Sequence, residues 1–295
     1  MARPKADDRL AISKEDIESL FDGMEQKCFD LKAITKILDE KRTYWRLDNV
    51  SRFKFIDFLI EKAKLNKVIF EFPNRSVARY TWGDVSKYKL MLSLKPKSFF
   101  SHYSAMYFNN LTNQVPKTIY LNHEQTPKPR PKGKLTQEKI DFAFQCKTRL
   151  SNTVVKYNDT NIRVLNSMHT GDLGVTEIET ADGFTIRLTN IERTLIDITV
   201  RPEYSGGPVE ALSAFKNAAE KVSINKLVSM LKKINYVYPY HQAIGFYLEK
   251  SEAYRESQIN LLSKIKIKHK FYLMHQIKQP KYSSRWKLFF PEGLA

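Results

Sequence analysis

The chain has 295 residues, 42% of them hydrophobic, and a formal net charge of +17. That length predicts one large domain or two ordinary ones with enough apolar content for a real core, and the charge points to a polyanionic partner such as nucleic acid while saying nothing about fold. Cys28 and Cys146 lie far apart without a C-x-x-C companion, no apolar run approaches the roughly 18–20 residues of a membrane helix, and the segment Met1-Ala2-Arg3-Pro4-Lys5 before Asp7 and Asp8 lacks a signal peptide's apolar stretch, so reduced thiols, a cytoplasmic location and no membrane partner are expected.

Residues 1–40 carry seven Lys/Arg and ten Asp/Glu, a net of −3, whereas residues 41–92 carry twelve and five, a net of +7. An evenly solvated surface does not predict that switch; a groove-facing half does. Ser13 before Lys14-Glu15-Asp16 is an S-x-x-D helix start, and Ile17, Leu20, Phe21 and Met24 follow at helical spacing. Asp30 predicts a cap for a second helix with Leu31, Ile34, Ile37 and Leu38 on one face. Ser51 predicts a cap for a third, with Phe55, Ile56, Leu59, Ile60 and Ala63 inward. Residues 68–72 and 77–82, broken at Pro73-Asn74-Arg75-Ser76, read as a hairpin.

Three helices followed by a hairpin predict a winged helix-turn-helix domain over residues 1–92. In that architecture the helix near 51–65 enters the major groove. The DNA-contacting residues expected are Ser51, Arg52 and Lys54 on that helix, Arg42, Tyr44 and Arg46 in the loop before it, and Arg75 and Arg79 on the hairpin. Arginine pairs bidentately with guanine, while Lys and Ser more often hold phosphate; Tyr44 and Trp45 suit packing better than base readout. The competing account is a winged helix used for protein contact, with its cations simply solvated.

Residues 93–295 read as a larger, mixed α/β domain, which makes the whole chain α+β. Pro96 and Ser98 open a helix predicted to run to about Leu111, its aromatic residues serving as core. A strand follows from Lys117 to Asn122. The Pro-Lys-rich stretch 126–134, with Lys128, Arg130, Lys132 and Lys134, reads as an exposed stiff loop. Thr136 caps a helix to about Lys147. Strands are predicted at 153–157 and 161–165, and a hairpin at 175–180 and 184–188 around Ala181-Asp182-Gly183.

Thr189 or Asn190 then starts a helix bearing Glu192, Arg193 and Asp197. Glu192 and Arg193 are adjacent and cannot share a face, whereas Arg193 and Asp197 are four apart and can pair. A buried polar clamp and an exposed functional surface both fit, the clamp better. Glu203 precedes Gly206-Gly207, a turn, and helices are expected near 208–221, 223–233, 239–250 and 254–263. Residues 257–291 hold eight Lys/Arg and no acid. Within them, Lys264-Ile265-Lys266-Ile267-Lys268-His269-Lys270 alternates like a strand, with Lys264, Lys266, Lys268 and Lys270 on one face. That second basic surface suits an RNA or DNA phosphate contact, or the guarding of an edge strand.

Catalytic signatures are missing from the sequence. There is no P-loop and no G-x-G-x-x-G, the six histidines lack metal-ligand spacing, and Ser205 lacks a nucleophile elbow. Asp172, Glu177 and Glu179 form an acidic group without the Glu-x-Lys of a metal nuclease. A non-enzyme with no metal and no cofactor is expected.

Two stretches carry a family resemblance: Ser101-His102-Tyr103-Ser104-Ala105 running through Leu111-Thr112-Asn113-Gln114-Val115-Pro116-Lys117-Thr118-Ile119-Tyr120, and Glu192-Arg193-Thr194-Leu195-Ile196-Asp197 with Arg201-Pro202-Glu203-Tyr204-Ser205-Gly206-Gly207. In this order, behind an N-terminus of winged-helix pattern, the chain resembles the AbiE-type antitoxins of bacterial type IV toxin–antitoxin (abortive-infection) systems over residues 14–250. The resemblance implies an antitoxin of phage defence that counters a nucleotidyltransferase-fold toxin without a stable complex. It also implies a repressor that binds inverted repeats in its own promoter. A stand-alone regulator of a mobile-element or defence operon, and a metal-dependent nuclease using Asp172, Glu177 and Glu179, are the alternatives.

Overall fold

The computed structural model describes residues 6–129, 133–180 and 183–294. It divides into two compact units. The first runs to Pro96 and takes in Val155–Tyr157 and Glu179–Ile186; the second holds Lys97–Val154, Asn158–Ile178 and the chain from Arg187 onward. Helix and strand are mixed throughout, as the α+β expectation requires. Among the described residues no helix is long and apolar enough to cross a membrane.

In chain order the first unit holds α1 (Ala6–Ile12), α2 (Lys14–Gly23), β1 (Cys28–Phe29), α3 (Leu31–Lys41), α4 (Arg52–Lys62), β2 (Leu65–Phe72), β3 (Arg75–Trp82) and α5 (Lys87–Leu92). Local chemistry sets two of the helix starts. Asp30 accepts from the Ala33 N–H at 2.8 Å, and the Ser51 hydroxyl accepts from the Lys54 N–H at 3.3 Å, each cap contributing about 1 kcal/mol. The strands β2 and β3 pair antiparallel from Leu65↔Trp82 to Phe72↔Arg75, closed by Pro73-Asn74. The strand β1 adds to β3, which gives the order β1-β3-β2. Ile17, Phe21, Ile34, Leu38, Phe55 and Leu59 fill the core between helices and sheet. Phe21 stacks on Trp82 at 4.6 Å, and the Trp82 indole N–H donates to Asp22 at 2.7 Å.

Ser13 is not a cap. It makes no side-chain bond to the first turn of α2, and its hydroxyl donates to the Trp45 carbonyl at 2.9 Å. The helix α1, which the sequence pattern did not signal, runs almost directly into α2 with Ser13 at the joint. The backbone ladder continues across it, from Ser13 N–H to Arg9 O and from Ile17 N–H to Ser13 O, both 3.0 Å. A side-chain cap has little left to satisfy there.

The chain continues through β4 (Phe99–Phe100), α6 (His102–Phe108), β5 (Thr118–Glu124), α7 (Gln137–Gln145), β6 (Val154–Tyr157), β7 (Thr160–Ser167), β8 (Val175–Glu179), β9 (Thr185–Thr189) and α8 (Ile191–Val200). It ends with α9 (Pro208–Ala218), α10 (Ile224–Ile234), α11 (Tyr240–Lys250), α12 (Glu256–Ser263), β10 (Phe271–Tyr272), β11 (Pro280–Ser283) and β12 (Leu288–Pro291). The second unit's strands run β7-β5-β4-β9-β8 within a six-stranded sheet. The strand β5 is parallel to β7 and antiparallel to β4, which is parallel to β9. The helix α8 is buried on nearly every side, and its Leu195, Ile196 and Ile198 join Phe215, Leu227, Tyr247 and Trp286 in one core. A small sheet, β10-β12-β11, closes the C-terminal part.

Two predicted elements are corrected. The helix expected from Pro96 to Leu111 is a strand, β4, and then the shorter α6. Phe99 and Phe100 are both buried, so they occupy an interior strand covered on both faces, which apolar spacing alone does not separate from a buried helix. The alternating segment Lys264–Lys270 is not a strand. Its lysines are exposed and its isoleucines partly buried, as alternation demands, but among the described residues no strand pairs with it. Side chains satisfy its backbone instead. Gln137 accepts from the Lys270 N–H at 2.8 Å and donates to the Lys270 carbonyl, while buried Gln242 donates to the His269 carbonyl at 3.1 Å and the Trp286 carbonyl at 2.6 Å. Of the Pro-Lys-rich loop, Arg130 and Lys132 lie outside the described residues, as do Ala181 and Asp182 of the predicted turn; Lys128 and Lys134 are exposed.

Replacing Gln242 by Leu removes its bonds to three carbonyls, those of His269, Trp286 and Lys287, at least one of them buried. We expect Gln242→Leu to lower unfolding free energy by about 2 kcal/mol, read from urea denaturation. An unchanged midpoint would show that Gln242 does not hold the lysine segment.

Candidate functional site

Arg193 sits on α8, 2% exposed, with its Nε donating to the Asp197 Oδ1 at 2.8 Å. Asn190 caps the helix by accepting from the Arg193 N–H, which sets the register that brings the two side chains together one turn apart. The guanidinium also donates to the Leu173 carbonyl at 2.7 Å and the Thr170 hydroxyl at 3.1 Å. Thr170 in turn donates to Glu124 at the end of β5, whose carboxylate also accepts from the N–H groups of Thr170 at 2.8 Å, Gly171 at 2.9 Å and Asp172 at 3.3 Å. The loop 170–173 is thus held between an anion on β5 and a cation on α8. Gly174, at φ 78°, closes it; a Cβ there would stand 2.7 Å from the Arg193 Cβ. Glu192 points elsewhere and accepts from the Ser223 N–H at the start of α10. Nothing in the sequence spacing singled out Glu124 or Thr170, because their partners are distant in the chain.

The first motif packs on the same helix. Asn109 donates to the Thr189 carbonyl at 2.9 Å and the Thr194 hydroxyl at 3.3 Å, and Ser104 accepts from the Tyr120 N–H at 2.8 Å. Gly206, at φ 83°, lets the chain pass Tyr103, whose ring would stand 3.3 Å from a Cβ at that position; Gly207 follows at φ 96°. Glu203 accepts from the Thr148 hydroxyl at 2.6 Å and the Tyr204 hydroxyl accepts from the Ser151 N–H at 2.8 Å, which anchors the segment 148–151 to the second motif.

Between these parts lies a cavity of about 430 Å³, lined by residues of both motifs, among them His102, Arg193, Asp197, Arg201 and Tyr204. The volume falls within the roughly 300–1,000 Å³ of small-ligand sites. Its deep wall includes Asn122 and Asp197, both buried, and among the described residues the Asn122 Oδ1 and Asp197 Oδ2 have no hydrogen-bond partner. Its outer wall includes exposed Arg149, Leu150 and Met168.

Burial dominates the titration of these groups. It pushes the His102 imidazole down to about 4, with Ser101 Oγ against its Nδ1 at 2.8 Å, and lifts the Tyr236 hydroxyl above its usual range. For Arg193 burial acts downward, but the charges of Asp197 and the Asp197 hydrogen bond outweigh it and the pKa rises. His241, partly buried, is pushed down to about 4 by burial alone.

The expected DNA-contacting residues separate into two groups. Arg46, Arg52 and Arg75 are exposed, as is Tyr44. The Arg52 guanidinium lies 4.8 Å over the exposed Phe53 ring. Lys54 is partly engaged, paired with Asp7 at 2.9 Å, and Ser51 is used as the helix cap. Arg42 and Arg79 are structural staples. Arg42 bonds Asp39 at 2.8 Å and the Val50 carbonyl at 2.6 Å; Arg79 bonds the Ser93 and Leu94 carbonyls at 2.8 and 3.1 Å. Farther along α4 the exposed residues include Asp57 and Glu61 before the terminal Lys62, so its first turn offers a phosphate a more favourable field than its middle. Of the acidic group, Asp172 and Glu177 both face Arg187, at 2.9 and 3.9 Å. Among the described residues no cluster of three or more metal-ligating side chains occurs. Lys264, Lys266, Lys268 and Lys270 stay solvent-facing.

No family model matches the chain, and no curated protein matches it in sequence. Among solved structures it is similar to the RV2827C protein from Mycobacterium tuberculosis, with a TM-score of 0.56 and 10% identity over 95% of this chain and 91% of that one. This likeness is one of fold.

The two depressed histidines give stability a pH dependence. The unfolded chain binds protons near pH 6.5 that the folded chain refuses until about pH 4. Stability is therefore complete above pH 6.5 and falls as pH drops through that window, by up to about 1.4 kcal/mol per pH unit for each histidine. We expect His102→Gln to flatten the slope of unfolding free energy between pH 6.5 and 4.5; a slope identical to the parent's would show that His102 titrates normally.

Proposed function

We propose that this protein is a DNA-binding antitoxin that represses its own operon through the first unit and counters a nucleotidyltransferase-fold toxin through the second. The observation that carries the DNA half is the first unit's element order. The succession α2, β1, α3, α4, β2, β3, with β1 completing a sheet on the hairpin, is the order expected of a winged helix-turn-helix. In that arrangement α4 is the recognition helix, and residues at its N-terminal end meet base edges. Arg52 occupies that end, and Arg46 and Arg75 are the exposed cations of the adjoining loop and hairpin turn. Asp57 and Glu61 disfavour a phosphate along the middle of α4, so phosphate neutralisation by the flanking arginines carries much of the affinity.

The antitoxin half rests on the resemblance. Its support is that the two stretches carrying it, about ninety residues apart in the chain, interlock on one helix through Asn109, Thr189 and Thr194. The implied mode is protection of the toxin's target without a stable toxin complex. A stand-alone regulator shares the DNA half and parts from this account at one point: co-expression with the neighbouring gene's product, where an antitoxin rescues growth and a plain regulator does not.

Promoter binding should be steeply salt-dependent. We expect Arg46→Ala/Arg75→Ala to weaken binding to the operon's own promoter and to reduce the slope of log K against log salt by about 1.8, at roughly 0.9 per phosphate contact. Electrophoretic mobility shifts across a salt series measure it. The variant Arg42→Ala should instead lower stability. An unchanged slope in the double variant would remove these arginines from the interface.

A further inference from the structure

We propose that the cavity of the second unit is a nucleotide-binding site, with the base seated against Asn122 and Asp197 and the phosphate held by Arg149 and Arg201. This goes beyond the DNA-binding antitoxin reading and does not rest on it.

The polarity of the cavity is graded with depth. At the bottom, Asn122 is 1% exposed and Asp197 5%. Each has one side-chain oxygen without a partner. An unmet buried acceptor costs on the order of 1–3 kcal/mol, and natural interiors leave few of them. The Asp197 carboxylate is not free to turn toward another donor, because its Oδ1 is held by Arg193 at 2.8 Å and Arg193 is fixed in turn by Leu173 and Thr170. Both orphan atoms are acceptors, so the group that completes them carries N–H or O–H donors. An exocyclic amino group or ring N–H of a nucleobase supplies these within one plane.

The walls suit such a plane. Tyr204 and Tyr236 contribute aromatic surface, and Tyr204 is itself fixed edge-on against His102 at 5.3 Å and bonded to Ser151. At the outer end the charge reverses. The lining holds three arginines against one aspartate. Arg193 neutralises Asp197, which leaves Arg149 and Arg201; among the described residues neither side chain makes a hydrogen bond or ion pair. Arg149 is exposed and Arg201 half-exposed, and a guanidinium's fork matches phosphate oxygens bidentately. A phosphate seated there stays partly hydrated while the base is buried, which avoids taking its charge into the core. Inorganic phosphate alone would leave the deep acceptors unmet, and an uncharged heterocycle would leave both arginines unused.

Isothermal titration of the full chain with ATP, GTP, CTP and UTP, run beside the free nucleosides and inorganic phosphate, tests the site. The expected result is saturable 1:1 binding of at least one nucleotide, at least tenfold tighter than phosphate or the matching nucleoside. Arg149→Ala/Arg201→Ala should weaken it at least tenfold, and Leu150→Trp, which fills the mouth from an exposed position, should abolish it. Far-ultraviolet dichroism and the thermal midpoint of both variants should match the parent. No saturable heat up to about 1 mM, equal affinity for phosphate and nucleotide, or affinity unchanged in the two variants would each overturn the proposal. The last outcome would assign the binding to other cations of this +17 chain.

Discussion

The second unit is organised around one buried ion pair. Arg193 and Asp197 leave water almost completely, and each pays a desolvation penalty of several kcal/mol that only good geometry offsets. The geometry is good: helical spacing puts the groups one turn apart, Asn190 fixes the turn, and the guanidinium has two further acceptors in Thr170 and Leu173. The consequence is structural reach. Through Thr170 the pair touches Glu124 on β5, so one side chain ties a helix, a loop and the sheet together. Replacing either charge alone would strand the other in a dry interior.

That clamp also shapes the cavity. With one carboxylate oxygen of Asp197 committed to Arg193, the other is left buried without a partner in a residue of the cavity wall. Structural and functional accounts of the Glu192–Asp197 stretch are therefore not rivals. The same bond that fixes α8 leaves a buried acceptor unmet at the cavity wall, the atom on which the proposed ligand site rests. The first unit follows a different logic. Its half-buried arginines Arg42 and Arg79 are spent on carbonyls, while Arg46 and Arg52 near the start of α4 and Arg75 at the hairpin turn are exposed. Solvent-facing positive charge of this kind suits a polyanion that brings its own counter-charge.

How much of this was legible in the sequence follows from the range of each interaction. Caps are local, so Asp30, Ser51 and Thr136 could be read directly, and of the two candidates Thr189 and Asn190 the cap is Asn190; all four caps accept the expected bonds. The Arg193–Asp197 pair is a matter of helical spacing and was equally visible. Ser13 shows the limit of a local rule: a preceding helix took over the ladder the cap would have served. The lysine segment shows another. Its alternation correctly sorted exposed from buried side chains, but a strand also needs a neighbour, and here Gln137 and Gln242 supplied the hydrogen bonds instead. Phe99-Phe100 was ambiguous for a similar reason, since a doubly buried strand carries no period-2 signal. Glu124, Thr170 and Asn122 could not be found at all, because each acquires its meaning from a partner brought near only by the fold.

The clamp is the claim on which the rest depends, and a double-mutant cycle on Arg193 and Asp197 measures it. Urea unfolding of Arg193→Met, Asp197→Leu and the double variant gives the three free energies. The account predicts that each single change costs about 3–5 kcal/mol and that the double change costs at least about 2 kcal/mol less than their sum. Additive costs would contradict it, because they would mean that the two side chains stabilise the unit independently and that no clamp exists.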